Sequence, residues 1–260
     1  MSTTKITLSG TKKTMLYTLY FRAIDARSPR PLVADDWAAS VLDRLNVNRL
    51  SLVGRSSDRF IGLLRARRID GWTRDFLAEH PTAVVLHLGC GLDSRAFRLP
   101  VPPEVQWYDV DFPEIIELRE RFYPDRTNYR QIASSVTEPE WLDEIPSDRP
   151  TLIIAEGLLM YLSESDVHRL LASVTERFPG GELIFDGMGR VLARLSKMFG
   201  WTLDDPAELE RRHPRLRRVD HIDISADYRL IQERWYRNLV GLLRRIPAVR
   251  KALHLLRFRF

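Results

Sequence analysis

Two glycines, Gly89 and Gly91, and a later carboxylate, Asp111, are the residues whose types and spacing most clearly suggest chemistry. The glycines follow residues 83–88, a short and mostly apolar run that predicts a buried parallel strand. Asp111 ends the next predicted strand, 20 positions after Gly91, where an ionised carboxylate can accept hydrogen bonds from both hydroxyl groups of a ribose. This spacing predicts a nucleoside site, although a tight βα turn and a helix-capping carboxylate would give the same pattern.

Position 94, which holds Ser94, narrows the type of nucleoside. The dinucleotide fingerprint G-x-G-x-x-G places its third glycine there, to pack the helix on the strand and bring its N-terminus to a pyrophosphate. A cofactor without a pyrophosphate, such as S-adenosylmethionine, does not need that glycine. The sequence therefore favours S-adenosylmethionine over the nicotinamide cofactor of an oxidoreductase.

A second carboxylate, Glu156, follows the apolar run at residues 151–155. A continuous apolar run is typical of a central strand that is covered on both faces. Ligands of doubly wound sheets collect at the carboxyl ends of such strands, so Glu156 is a candidate site residue. Its carboxylate could instead accept hydrogen bonds from main-chain N–H groups of the turn at residues 157–158.

Strands and helices alternate from residue 81 to residue 186, and this alternation predicts a parallel sheet with right-handed crossovers. The predicted strands lie near residues 83–88, 105–111, 129–133, 151–156 and 182–186. The predicted helices lie near residues 94–98, 113–123, 139–144 and 164–178. Upstream, residues 1–80 are predicted to be helical, with one helix at residues 59–78.

Three ordered motifs resemble those of the leucine carboxyl methyltransferase-like family, and most of all its bacterial polyketide O-methyltransferases of the tetracenomycin type. Residues 88–99, LGCGLDSRAFRL, resemble the family pattern LGxGxD(S/T)RxxRL. Residues 107–113, WYDVDFP, resemble the pattern W(Y/F)EVDxP. Residues 155–162, AEGLLMYL, resemble the EGLLMYL segment that follows the family's fourth strand.

The resemblance implies an S-adenosylmethionine-dependent O-methyltransferase whose acceptor is a carboxyl group of a small-molecule or polyketide-like compound. It also implies an α/β fold of the Rossmann-like class I methyltransferase type. This fold has a mostly parallel seven-stranded sheet, helices on both faces and an N-terminal helical cap. We expect residues 1–80 to form the cap and substrate region, and residues 81–260 to form the cofactor-binding core in one compact unit with it.

The resemblance also assigns cofactor contacts. Arg65 would bind the carboxylate of the cofactor's methionine part, for which a planar guanidinium is suited. Glu156 would lie near the methionine or the ribose. Ser135 stands where the family usually has an acidic residue that meets the adenine amino group, so the adenine contact would lack charge assistance here. Val136 would offer its main-chain N–H to the ring.

On the acceptor side, the resemblance implies Tyr161 and Arg22 as substrate residues, although a tyrosine at this position could equally pack in the core. A carboxylate acceptor is already nucleophilic at neutral pH, so we expect no catalytic base, and the enzyme would act by alignment and exclusion of water. A phenol acceptor would benefit from a base, for which His213 and His221 are the candidates. A non-catalytic binding protein that keeps the fold is a further alternative.

Composition limits the other classes of function. The single cysteine, Cys90, excludes intrachain disulfides and fits a reducing cytoplasm. The six histidines show no metal-ligand spacing, and no metal is expected. Residues 1–13 lack the apolar core of a secretory signal, and no apolar run approaches the ~20 residues of a membrane span. These features predict a cytoplasmic enzyme, whose oligomeric state the sequence does not indicate.

The formal net charge of +5 is concentrated near the C-terminus. Residues 211–260 contain 14 Lys and Arg against 4 Asp and Glu. An amphipathic basic run at residues 239–257 could cover the core with a solvated basic face, or make weak contact with an anionic membrane surface. No aromatic side chains are interleaved as a base-stacking platform, so we expect no nucleic-acid partner.

Overall fold

The structure is a computed structural model that describes residues 4–5, 14–48, 52, 59–194 and 198–260. The expectation about a secretory signal at residues 1–13 therefore falls almost wholly outside the described residues. Within the described part, no helix combines the length and the apolar character needed to cross a membrane.

A seven-stranded sheet forms the centre of the molecule. Its strands are β3 (Val84–Leu88), β4 (Gln106–Asp111), β5 (Tyr129–Ala133), β6 (Thr151–Ala155), β7 (Gly181–Met188), β8 (Arg217–Asp223) and β9 (Leu253–Arg259). They lie side by side in the order β5-β4-β3-β6-β7-β9-β8. Strand β9 runs in the direction opposite to the other six, so its pairings with β7 and β8 are antiparallel and the other pairings are parallel. The predicted mostly parallel sheet is confirmed.

The remaining strands are β1 (Thr4–Lys5) and β2 (Leu45–Asn46), which form a two-residue parallel pair. The α-helices are α1 (Thr14–Ala26), α2 (Asp36–Arg44), α3 (Arg59–Glu79), α4 (Arg95–Arg98), α5 (Pro113–Glu120), α6 (Glu164–Arg177), α7 (Arg190–Ala193), α8 (Ala207–Arg212), α9 (Arg234–Leu243) and α10 (Pro247–Arg250). Residues Pro139–Glu144, predicted as a helix, form a 3₁₀ helix that begins at a proline.

Helices cover both faces of the sheet, as predicted. Alternate residues of β3 point to opposite faces, so Val84 packs in one apolar cluster with Leu171 of α6. Val85 packs in another with Trp72 and Phe76 of α3. Because both faces are covered, every residue of β3 is buried, which explains why its sequence is an apolar run without alternation.

The sheet order creates a crevice at its centre. Strands β3 and β6 are neighbours, but the chain continues from β3 to β4 on one side and from β6 to β7 on the other. The connections after β3 and β6 therefore diverge, and in open α/β sheets ligands bind at such a switch point. Helices α1 and α3 precede the sheet in the chain, and α3 packs directly on it. The division of the chain at residue 80 stays a prediction.

Candidate functional site

The turn after β3 has the geometry that its glycines predict. Gly89 has φ 61° and Gly91 has φ 50°, in the left-handed region that residues with a Cβ rarely adopt. A Cβ on Gly91 would also lie 3.1 Å from the Cβ of Met15 in α1. The turn therefore depends on glycine both for its backbone conformation and for the close approach of α1.

Asp111, at the carboxyl end of β4, lies beside this turn. Its Oδ2 accepts a hydrogen bond from the Gly91 N–H at 2.7 Å, and its Oδ1 accepts one from the Phe112 N–H at 2.8 Å. Burial raises the pKa of the Asp111 carboxyl, although both N–H groups act in the opposite direction. The side chain is fixed at the strand end from which the sequence predicted a contact with ribose.

The underside of the turn is held by Arg119 of α5. Its Nη1 donates to the carbonyl oxygens of Gly91 at 2.7 Å and Asp93 at 2.8 Å. Its Nη2 donates to the Asp109 carboxylate and to the Tyr129 hydroxyl, the latter at 3.0 Å. Arg119 is fully buried. Burial lowers the pKa of its guanidinium, but the charge of Asp109 outweighs this effect and raises the pKa above its usual value. The guanidinium therefore stays charged and draws two turn carbonyls inward.

Arg22, expected on the substrate side, also holds this turn. Its Nη2 donates to the Leu92 carbonyl at 3.0 Å, and its Nε donates to Asp35 Oδ2 at 2.9 Å. Asp35 in turn accepts a hydrogen bond from the Ser94 hydroxyl at 2.5 Å. Arg22 is 4% exposed. Its role toward a substrate stays a prediction.

Across the crevice, Arg65 of α3 and Glu156 after β6 form a buried ion-pair network. Arg65 Nε donates to Glu156 Oε1 at 2.9 Å, and Arg65 Nη1 donates to Asp186 Oδ2 at 2.8 Å. The other oxygen of Glu156 accepts from Arg95 Nη2 at 2.6 Å. Burial opposes ionisation of Glu156, but the charges of Arg65 and Arg95 outweigh it and lower its pKa to about 2.

Asp186 is a site residue that the sequence reading missed. It lies in β7, is fully buried, and accepts the Gly157 N–H at 2.5 Å as well as the bond from Arg65. Burial raises its pKa, although the Arg65 charge acts against this. The signal was available, because residue 186 ended the predicted strand 182–186 in the same way that Asp111 ends β4.

Two adjoining hollows occupy the crevice, and we call them together the switch-point cleft. The first has a volume of about 240 Å³ and is lined among others by Arg22, Arg65, Cys90, Asp93 and Glu156. The second has a volume of about 210 Å³ and is lined among others by Asp111, Ile115, Ser134, Ser135 and Val136. Both are bordered by Met15, Gly89, Gly91, Gly157 and Tyr161.

The cleft thus brings together all nine residues that the sequence assigned to cofactor or substrate. Their roles stay predictions, but their placement fits a nucleoside joined to an amino acid. Asp111 offers an acceptor for hydroxyl groups, Ile115 and Val136 offer an apolar wall for a base, and Arg65 lies in the other hollow, where a carboxylate would need a cation. Arg65 Nη2 is not used in either of its two ion pairs. The site therefore fits S-adenosylmethionine.

Other ionisable groups are placed less favourably for catalysis. His87 lines the first hollow, but it is buried and its Nδ1 lies 3.3 Å from Asp109 Oδ1. Burial raises the pKa of the Cys90 thiol well above its usual value. His213 and His221, the candidate bases for a phenol acceptor, pair with His168 and His254 and are absent from the described lining of the cleft. Among the described residues, no cluster is suited to hold a metal ion.

Comparison with known proteins shows the family to which the chain belongs. The family model of the leucine carboxyl methyltransferases matches residues 16–175. The chain is 42% identical, over 98% of its length and 98% of the relative, to the tetracenomycin polyketide synthesis O-methyltransferase TcmP of Streptomyces glaucescens. It is 35% identical to the S-adenosyl-L-methionine-dependent methyltransferase dpfgK of Gibberella zeae, covering 93% of this chain and 91% of the relative.

Solved structures show the same fold. A structure from Thermobifida fusca superposes with a TM-score of 0.59 at 17% identity, covering 92% of this chain and 93% of that one. The N-methyltransferase NodS from Bradyrhizobium japonicum superposes with a TM-score of 0.51 at 15% identity, covering 75% of this chain and 96% of that one. At these identities the likeness concerns the Rossmann-like fold alone.

Proposed function

The chain belongs to the leucine carboxyl methyltransferase family and is an S-adenosylmethionine-dependent methyltransferase, and we propose that it transfers the cofactor's methyl group to an oxygen of a small-molecule acceptor. The acceptor group that we favour is a carboxyl group of a polyketide-like compound. The observation that carries the proposal is the switch-point cleft, which has Asp111 in one hollow and Arg65 with Glu156 in the other.

The cofactor would be held by residues of both hollows. Asp111 would accept the ribose hydroxyls, Ser135 and the Val136 N–H would face the adenine, and Arg65 would pair with the methionine carboxylate. When bound, S-adenosylmethionine supplies an activated methyl group on its sulfonium. The chain contributes alignment and exclusion of water, for which the close packing of Met15 over Gly91 is suited.

The charges around the cleft support a carboxyl acceptor rather than a phenol. Asp93 and Glu156 are each ion-paired with arginines. Burial alone would raise the pKa of each carboxyl, but the arginine charges outweigh it and lower both pKa values. A strongly paired carboxylate is a poor proton acceptor, and the Cys90 thiol stays protonated because of its burial. A carboxylate acceptor needs no base, whereas a phenol would benefit from one.

Aromatic side chains border the first hollow and support an aromatic acceptor. Tyr17 and Phe21 of α1 line it together with Tyr161. Flat aromatic rings pack well against such side chains. The name of the 42% identical relative, which refers to tetracenomycin polyketide synthesis, is consistent with this class of acceptor. We propose that Tyr161 contacts the acceptor, and that Arg22 assists from the turn that it holds.

The first test is titration calorimetry of the purified protein with S-adenosylmethionine, with S-adenosylhomocysteine and with NAD as the control ligand. We expect the first two ligands to bind and NAD not to bind, and we expect Asp111→Ala to abolish the binding. Absence of binding to all three ligands would contradict the cofactor assignment and favour a non-catalytic protein.

The acceptor is tested separately with radiolabelled S-adenosylmethionine and pairs of aromatic compounds that differ only in carrying a carboxyl or a hydroxyl group. The expected product is a methyl ester, which mild base hydrolyses. A base-stable methyl ether formed from the hydroxyl compound alone would refute the carboxyl acceptor while leaving the methyltransferase intact.

A further inference from the structure

A stripe of large apolar side chains faces outward on α9 and the residue that follows its C-terminal turn. We call this the α9 stripe; it consists of Trp235 (66% exposed), Leu239 (41%), Leu242 (59%), Leu243 (39%) and Ile246 (50%). Positions 235, 239, 242 and 246 follow the helical repeat, so these side chains share one face. Soluble proteins rarely expose large apolar side chains in contiguous patches, and where they do, the patch marks an interaction site.

The same helix is anchored to the protein by a different face. Tyr236 and Val240 are buried in the cluster that also contains Phe60, and the rings of Tyr236 and Phe60 lie 4.9 Å apart. The sequence had predicted a single amphipathic run from 239 to 257, with core covering as one interpretation. This is wrong for the run as a whole, because Leu253–Arg259 forms strand β9 inside the sheet. The α9 stripe faces away from the core.

The surroundings of the α9 stripe are strongly basic. Residues 229–251 contain seven Lys and Arg and one acidic residue, Glu233, which is ion-paired with Arg59 at 2.5 Å. Two of the basic side chains turn inward, since Arg237 donates to the Ile231 carbonyl and Arg244 to Asp223. The other five are exposed: Arg229, Arg234, Arg245, Arg250 and Lys251.

We propose that the α9 stripe and these five basic residues dock the protein on an anionic lipid surface. An interfacial helix needs bulky apolar side chains to enter the headgroup region and basic side chains to pair with lipid phosphates and carboxylates. The stripe provides the apolar side chains and the five basic residues provide the charge, and the stripe includes an exposed tryptophan, the residue type that favours membrane interfaces. Such docking is peripheral and reversible.

The positive charge around the α9 stripe favours an anionic lipid surface over a second copy of the chain as the binding partner. A two-fold dimer through the α9 stripe would bring the basic residues of one copy next to those of the other, and like charges at an interface oppose association. An anionic lipid surface has the complementary charge. The proposal does not depend on the acceptor, because none of these residues lines the switch-point cleft.

The proposal is tested by sedimentation with vesicles of phosphatidylcholine alone and vesicles that also contain phosphatidylserine. We expect binding to the mixed vesicles only, and a steep loss of binding as salt is raised. Leu242→Ser with Ile246→Ser, and separately Arg245→Glu, should each weaken the binding at least ~10-fold. Val219→Ser is the matched control, since Val219 is 46% exposed on β8, outside the stripe, and should bind as the unchanged protein does.

Two further measurements complete the test. Titration with S-adenosylmethionine should give unchanged affinities for all these variants, which excludes misfolding as the cause of weaker docking. Tryptophan fluorescence should shift to the blue on mixed vesicles, and Trp235→Phe should remove the shift. Equal binding to both types of vesicle, or no binding to either, would overturn the proposal. So would a concentration-dependent dimer that Leu242→Ser with Ile246→Ser dissociates.

Discussion

Arg119 donates a hydrogen bond from Nη1 to the main-chain carbonyl of Gly91 at 2.7 Å, although the two residues are 28 positions apart. The same guanidinium is ion-paired with the buried Asp109. Arg119 thus links the conformation of the turn after β3 to its ion pair with Asp109 of β4. The consequence is that a residue with no place in the lining of the switch-point cleft controls its shape.

Arg119→Met should therefore destabilise the protein and weaken cofactor binding together. Removal of one partner of a buried ion pair costs about 3–5 kcal/mol, because the remaining charge is left unpaired. Urea unfolding measures this loss. Arg119→Lys keeps the charge but not the fork, in which Nη1 reaches the two carbonyls while Nη2 reaches Asp109, so it should retain more stability than Arg119→Met and still bind S-adenosylmethionine less tightly. Unchanged affinity in the lysine variant would contradict a role in positioning the turn.

Asp111→Asn should weaken S-adenosylmethionine binding about 10- to 100-fold, because hydrogen bonds to a charged acceptor contribute about 1.5–3 kcal/mol. The asparagine keeps one oxygen for the Gly91 N–H and loses only the acceptor of the Phe112 N–H, so the turn should persist. Calorimetric titration gives the affinity, and thermal unfolding without ligand is the control. A large loss of stability with unchanged affinity would show that Asp111 serves only the turn.

Ser135→Asp should tighten cofactor binding by roughly 5- to 10-fold, because an ionised acceptor makes a stronger hydrogen bond to an amino group than a hydroxyl does. At present the Ser135 hydroxyl lies 2.8 Å from the Thr137 hydroxyl. Ser135→Ala is the matched control and should change the affinity little. If the aspartate variant binds no better than the alanine variant, adenine does not lie at this position.

Gly91→Ala should cost about 1–2 kcal/mol of stability, the penalty for a Cβ in the left-handed region, and should weaken cofactor binding. Gly71→Ala provides the opposite control, because Gly71 lies within α3 and a Cβ there would meet nothing within 4 Å. That substitution should stabilise the protein by about 0.5–1 kcal/mol. Urea unfolding of the two variants should therefore give changes of opposite sign.

The ion pairs of Glu156 predict a specific dependence of stability on pH. Its pKa is lowered from 4.5 to about 2, so the contribution is complete above about pH 4.5 and is lost as pH falls towards 2. The shift corresponds to stability on the order of 3 kcal/mol. The difference in free energy of unfolding between the unchanged protein and Glu156→Gln should narrow over that interval. A difference that stays constant would contradict the assignment.

The parts of the structure that the sequence predicted well depend on local patterns. The strand predicted at 83–88 is Val84–Leu88, and the one predicted at 151–156 is Thr151–Ala155. Both are buried throughout and mostly apolar because both faces of the sheet are covered. Asp111 and Glu156 could be assigned to the site because the carboxyl ends of adjacent parallel strands meet at one edge.

The parts that the sequence did not predict depend on contacts between distant residues. Arg119 looked like one charge on a helix, and only the fold brings it under Gly91. Met15 has no local feature that places it over the turn after β3. The run at 239–257 was predicted as one amphipathic segment, but pairing of β9 with β7 and β8 takes its last five residues into the sheet. The spacing of apolar residues along the chain does not indicate which strands will pair.

The position of β9 has a consequence for the synthesis of the protein. This strand follows β8 along the chain, yet it lies between β7 and β8 in the sheet. Strands β7 and β8 cannot be joined through β9 until residues 253–259 have left the ribosome. After its own translation, β8 therefore stays unpaired until β9 emerges. The sheet is therefore completed only after residues 253–259 have emerged, and a ribosome stalled before residue 253 would hold a chain whose β8 has no partner strand.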